Sequence, residues 1–111
     1  SDARLKTNVE PLQYGLCDVK KLKPVSFDWN ETERETRGCS KQLGFLAQEV
    51  ESIIPEAVGK TADDFGTYSL SPDKIIPVLT KGIQELEEKV VTLESRLATL
   101  EEIILRNNLK P

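Results

Sequence analysis

The spacing of apolar residues changes character repeatedly along the chain. Ser1 to Asn8 is polar, with Leu5 and Val9 as its first apolar points. Leu12, Leu16, Val19 and Leu22 then recur at steps of four, three and three, which predicts one face of a short helix. Pro24 closes it by turning Lys23 away from the α region. Val25, Phe27 and Trp29 alternate with Ser26 and Asp28 and predict a half-buried strand. Asn30 to Lys41 is charged and without apolar period. It reads as a solvated hairpin connection or excursion, at the edge of what a compact domain leaves structureless. Leu43 to Leu46 is the next apolar run, and Leu46, Val50, Ile53 and Ile54 continue at helical spacing until Pro55. Ala57-Val58 and Thr67 to Leu70 predict short strands around the turn-rich Gly59 to Gly66. Residues 1–70 thus read as a small mixed α+β head, near the size where a lone core is marginal.

Residues 71–111 follow one rule throughout. Ser71-Pro72-Asp73 predicts a helix start: a capping hydroxyl, a proline in the first turn and an acid at the positive end. Ile76, Ile83, Val90, Leu97 and Ile104 then fall at a, and Leu79, Leu86, Leu93 and Leu100 at d, of a heptad repeat. Pro77 removes one backbone bond and predicts a bend or a slightly later start, while Asn107, Asn108 and Pro111 are expected to end the rod. A head this small cannot cover nine successive seam residues, so the seam predicts self-association. Lys89 and Arg96 stand at g, Glu94 and Glu101 at e. Parallel copies set each base against an acid, whereas antiparallel copies set like against like. Exposed pairs are worth only ~0.2–1 kcal/mol each, so they select orientation more than affinity. β-branched residues at four of five a positions with leucine at every d lean toward two strands, while Leu97 at a and the lack of a seam asparagine leave three open.

Composition narrows the function. The 111 residues are 31% charged, with 19 acidic against 15 basic side chains, a net charge of −4 and no histidine. Histidine-dependent triads and zinc sites are excluded. The acidic balance argues against a nucleic-acid partner. No apolar run approaches the ~20 residues of a membrane span and no signal peptide is visible, so no membrane partner is expected either. Cys17 and Cys39 lack CxxC spacing and are expected to be free thiols. No cofactor motif or metal-ligand cluster is present: Asp63-Asp64 is too isolated for a calcium loop, and Glu87-Glu88 and Glu101-Glu102 belong to the solvated face of the rod.

The candidate chemistry is at the start of the chain, where Ser1 precedes Lys6 by five residues. A serine-lysine dyad needs only those groups, the neutral amine taking the hydroxyl proton so that the alkoxide attacks a carbonyl. The amine must lie well below its usual ~10.4, through burial or a nearby cation such as Arg4. A spacing of five suits neither helix nor strand, so a dyad here requires a bend between the two residues.

Ser1-Asp2-Ala3-Arg4-Leu5-Lys6-Thr7-Asn8-Val9, Lys23 to Trp29, Leu43 to Val50, Ile54 to Val58, Tyr68 and Ile76 to Leu86 occur in an order and spacing with a known counterpart. Together they resemble the self-cleaving endosialidase-type intramolecular chaperone domains at the C-termini of bacteriophage tail spikes, tail fibres and neck appendages. The resemblance implies a parallel homotrimer that guides the upstream fibre or spike domain of its own precursor into register. It then cuts the bond just before the motif serine, with Ser1 as nucleophile and Lys6 as general base. On that reading this chain is the released product of a single-turnover autoprotease, made in the cytoplasm of the infected host, its precursor destined for the virion tail. Asp2, Arg4, Asn8, Gln48 and Glu49 also match the pattern, without an assigned role. Two alternatives stand beside it: a structural trimerisation foot without catalysis, and the related self-cleaving domain of myelin regulatory factor-type proteins.

Overall fold

The computed structural model describes residues 1–109, with principal extents of 79 × 41 × 23 Å. The architecture is mixed α+β: short helices and strands, then one long helix. After an extended N-terminal arm come α1 (Leu16–Val19), β1 (Val25–Phe27), α2 (Glu31–Arg37), β2 (Gln42–Gly44) and α3 (Ala47–Glu51). They are followed by β3 (Val58–Lys60), β4 (Tyr68–Leu70) and α4 (Ile76–Leu109). The strands form two separate antiparallel pairs, β1 with β2 (Ser26 opposite Leu43) and β3 with β4 (Gly59 opposite Ser69).

The core is small and belongs partly to the long helix. Val50 and Ile54, Ala57 from the turn Pro55–Ala57, Ile75 just before α4 and Val78 in its first turn are each at most 3% exposed. Tyr14, Val19, Leu22, Phe45, Ile53, Val58 and Leu70 pack around them. The Ser71 amide donates to the Ala57 carbonyl (2.7 Å), tying the end of β4 to this core. The helix expected from Leu12 to Leu22 shortens to the single turn of α1. Gly15, extended at φ −155° and ψ −150°, stops it from beginning earlier.

The charged stretch after β1 is not structureless as expected, since it contains α2. The Asn30 side chain caps it by accepting from the Glu33 amide (2.9 Å). Arg37 bonds Glu33 one turn earlier (2.7 Å), and Arg34 Nε donates to the Trp29 carbonyl (3.0 Å). Trp29 is not in β1. Its ring meets Phe27 edge-on at 5.0 Å and lies 4.6 Å beneath the Arg37 guanidinium. Gly38, at φ +89°, turns the chain toward β2 in a conformation that L side chains rarely adopt.

The long helix starts later than its sequence signal. Pro72–Lys74 forms a 3₁₀ turn and the Ser71 side chain makes no capping bond. Its backbone carbonyl accepts from Lys74 (3.1 Å) instead. With α4 beginning at Ile76, Pro77 falls in the first turn, where an amide would have no intrahelical acceptor, so its ring removes no helical bond. Asn107 and Asn108 do not end α4, which continues through Leu109. Asparagine costs a helix under ~0.7 kcal/mol, too little to stop it alone. Pro111 lies outside the described residues.

Candidate functional site

The two expected reactive residues sit on the N-terminal arm, and residues 1–13 are exposed throughout. Between Ser1 and Lys6 the chain makes a 3₁₀ turn, Ala3–Leu5, closed by Leu5 N to Asp2 O (3.0 Å) and Lys6 N to Ala3 O (3.1 Å). The turn bends the chain between the two residues. Asp2 builds it. One carboxylate oxygen accepts from the Arg4 amide (2.9 Å), and Arg4 Nη2 donates to the other (2.7 Å). Those bonds hold the Asp2 carboxyl below its ordinary value and raise the Arg4 guanidinium above its own. Arg4 is therefore paired with Asp2 and does not serve Lys6 as an uncompensated cation. Lys6 leaves the turn extended, and Asn8 adopts a left-handed φ of +54°, a conformation asparagine tolerates better than most residues. Among the described residues no hydrogen bond joins the Ser1 hydroxyl to the Lys6 amine.

The arm becomes fixed at Tyr14. The Tyr14 hydroxyl donates to Glu56 Oε1 (2.7 Å), which pushes the phenol pKa up. The next amide, of Gly15, donates to Asp18 Oδ2 (3.0 Å), and that of Leu16 to Glu85 Oε1 on α4 (3.0 Å). Three carboxylates from three parts of the chain thus hold three consecutive residues. Sequence reasoning assigned a role to none of them. Glu56 stood in the Ile54-Pro55-Glu56 motif, and Asp18 was a polar position on a predicted helix. Glu85 carried no signal beyond its place on the rod. Gln48 is exposed, and Glu49 accepts from Ser52 Oγ only through its backbone carbonyl (2.8 Å). Cys17 and Cys39 are exposed free thiols. Among the described residues no cluster of three or more histidine, cysteine or acidic side chains could hold a metal ion.

A second surface runs along α4. The helix meets the head through Val78 and Gly82, both buried, and through half-buried Glu85. The nine a and d residues from Ile76 to Ile104 lie on the neighbouring face and are 39–68% exposed. Packing within the chain therefore leaves the whole heptad seam uncovered.

The turn bearing Ser1 and Lys6, the β1–β2 pair and α3 all lie within a segment with known kin: residues 1–59 match the peptidase family described as chaperone of endosialidase. The chain belongs to that family. Its relatives extend the likeness into the long helix. The chain is 32% identical over 101 residues to long tail fiber protein Gp37 of Enterobacteria phage M1, covering 89% of this chain and 40% of that protein. It is 35% identical over 102 residues to a probable tail fiber protein of Escherichia phage Phieco32, covering 88% of this chain and 14% of that one. The chain thus spans well under half the length of these relatives. No helix among the described residues is long and apolar enough to cross a membrane.

Proposed function

We propose that this chain is the intramolecular chaperone of a phage tail fibre, built as a head (1–70) on a stalk (71–111), and that it works as a parallel homotrimer. The observation that carries the reading is the uncovered seam: nine apolar positions in register on a helix whose neighbouring face already belongs to the head. A second copy is the occupant that the heptad repeat and the Lys89–Glu94 and Arg96–Glu101 charges fit. The family likeness supports three strands rather than two. Bringing three fibre chains into register costs loop-closure and ordering entropy before any fibre contact forms. A stalk that associates first offsets this by holding the chain ends at roughly millimolar effective concentration. Relatives named as tail fibre proteins support a precursor made in the infected host and destined for the virion tail.

Release is by self-cleavage before Ser1. The Ser1 hydroxyl gives its proton to the neutral Lys6 amine and attacks the carbonyl carbon of the residue preceding it in the precursor. The peptide C–N bond breaks, the Ser1 nitrogen takes up a proton, and an ester joins the upstream chain to the Ser1 oxygen. Water hydrolyses that ester, leaving an upstream carboxylate and restoring the hydroxyl. The 3₁₀ turn at Ala3–Leu5 supports this by bending the chain between the two groups. Loss of the domain then makes the fibre kinetically stable, since its template has gone.

Both residues are exposed and unbonded to each other in the single chain, which favours the second reading, a trimerisation foot without catalysis. A precursor carrying about 100 upstream residues (a single-domain length) separates the two by mass spectrometry. Cutting in the wild type, lost in Ser1→Ala and in Lys6→Ala, supports the autoprotease. An intact wild-type precursor overturns it.

A further inference from the structure

Among the described residues, hydrogen bonds tie the arm that carries Ser1 and Lys6 to the head at its root, and part of that tie comes from the stalk. Glu85 Oε1 accepts the Leu16 amide (3.0 Å) across 69 residues of sequence. The fit around the bond is close. Gly15 is buried, and the Glu85 carboxyl fills the space a side chain there would need. One turn earlier on α4, Gly82 is also buried, with Val19 Cγ2 2.8 Å and the Leu16 Cα 3.7 Å from where its own Cβ would stand. Glu85 directly precedes the d residue Leu86 on the uncovered seam. A single turn of α4 thus presents a seam residue to a neighbouring copy and a carboxylate to the root of its own arm.

We propose that Glu85 is a positioning residue for cleavage: by holding the Leu16 amide, it fixes the direction in which the Ser1–Gln13 arm leaves the stalk, so that stalk assembly sets where the dyad lies. This rests on the self-cleavage reading above. Glu85 touches no reacting atom and acts through the backbone of Leu16. The property required of it is an acceptor oxygen at one place, which glutamine also supplies.

The test uses the precursor as wild type, Glu85→Ala and Glu85→Gln, with cleavage rate, oligomeric state by sedimentation and Leu16 amide exchange measured together. The expected result is cutting at least tenfold slower in Glu85→Ala, faster exchange at Leu16 and an unchanged oligomer. Glu85→Gln should restore the rate to within about threefold, because the acceptor geometry is retained. Equal rates in wild type and Glu85→Ala overturn the inference while leaving the autoprotease intact. So does a slow Glu85→Ala that has also lost its oligomer, since the residue would then be structural. An uncut wild type overturns the autoprotease itself, a distinct outcome.

Discussion

Val19 packs against Gly82 so closely that its Cγ2 stands 2.8 Å from the position of a β-carbon that the glycine lacks. A branched valine has little freedom to withdraw, so this contact sets how near α1 comes to α4. Alanine at position 82 would gain about 1 kcal/mol of helix propensity over glycine, against ~1–3 kcal/mol for overpacking. Gly82→Ala should therefore lower the thermal midpoint, as followed by circular dichroism. Val19→Ala in the same chain should return most of the loss. A Gly82→Ala single variant more stable than wild type would refute the close fit.

The uncovered seam predicts what disrupts assembly without touching the head core. Leu86→Lys with Leu93→Lys should give a monomer at micromolar concentration by sedimentation equilibrium, because each places charges against one another in a closed seam. In the precursor the same pair should abolish cutting. Efficient cutting by that monomer would separate cleavage from association.

Orientation is tested by charge. Lys89→Glu sets acid against Glu94 in a parallel assembly and should lower its melting temperature, by ~0.2–1 kcal/mol per pair. Adding Glu94→Lys should restore it, and the difference should shrink in high salt. An assembly stabilised by the single change would be antiparallel.

The excursion between β1 and β2 has its own reporter. Trp29 is the chain's single tryptophan and lies under Arg37 of α2. Asn30→Ala removes the cap, worth about 1 kcal/mol, and should fray α2. The expected sign is a red-shifted Trp29 emission and faster exchange of the Glu33 amide. Stability of the whole protein should barely move, since no residue of α2 is buried.

The root of the arm has an alkaline limit. The hydrogen bond to Glu56 raises the Tyr14 pKa above its ordinary 10.0. Its contribution is thus fully present below pH 10.0 and is lost as pH rises through the raised value. In a Tyr68→Phe background, absorbance titration should find Tyr14 ionising late. Glu56→Gln should bring it back toward the ordinary value.

Elements with a strong period were legible from the chain alone. The rod was written in nine seam positions, and β1 and the strand around Tyr68 in alternation and flanking turns. The rod takes the slightly later start that Pro77 predicts, at Ile76, because Ser71-Pro72 opens a 3₁₀ turn as readily as an α-helix. α2 escaped notice because it buries nothing: Asn30, Glu33 and Arg37 stabilise it through a cap, an ion pair and a tryptophan, none of which leaves an apolar stripe. Ser1 and Lys6 were found as a motif, and the need for a bend between them followed from spacing. The bonds that hold their arm were invisible, because Glu56 and Glu85 lie 42 and 69 residues from the groups they accept. Such pairings emerge only when separate elements pack.

Past Glu85, every residue of the long helix up to Asn108 is exposed. Nothing in the head therefore measures how far the helix extends. Whole heptads are free to be inserted or deleted there in the course of descent, and the rod would lengthen or shorten by about 10 Å each time. A one- or two-residue insertion would instead swing the apolar stripe around the axis and break its continuity along the helix.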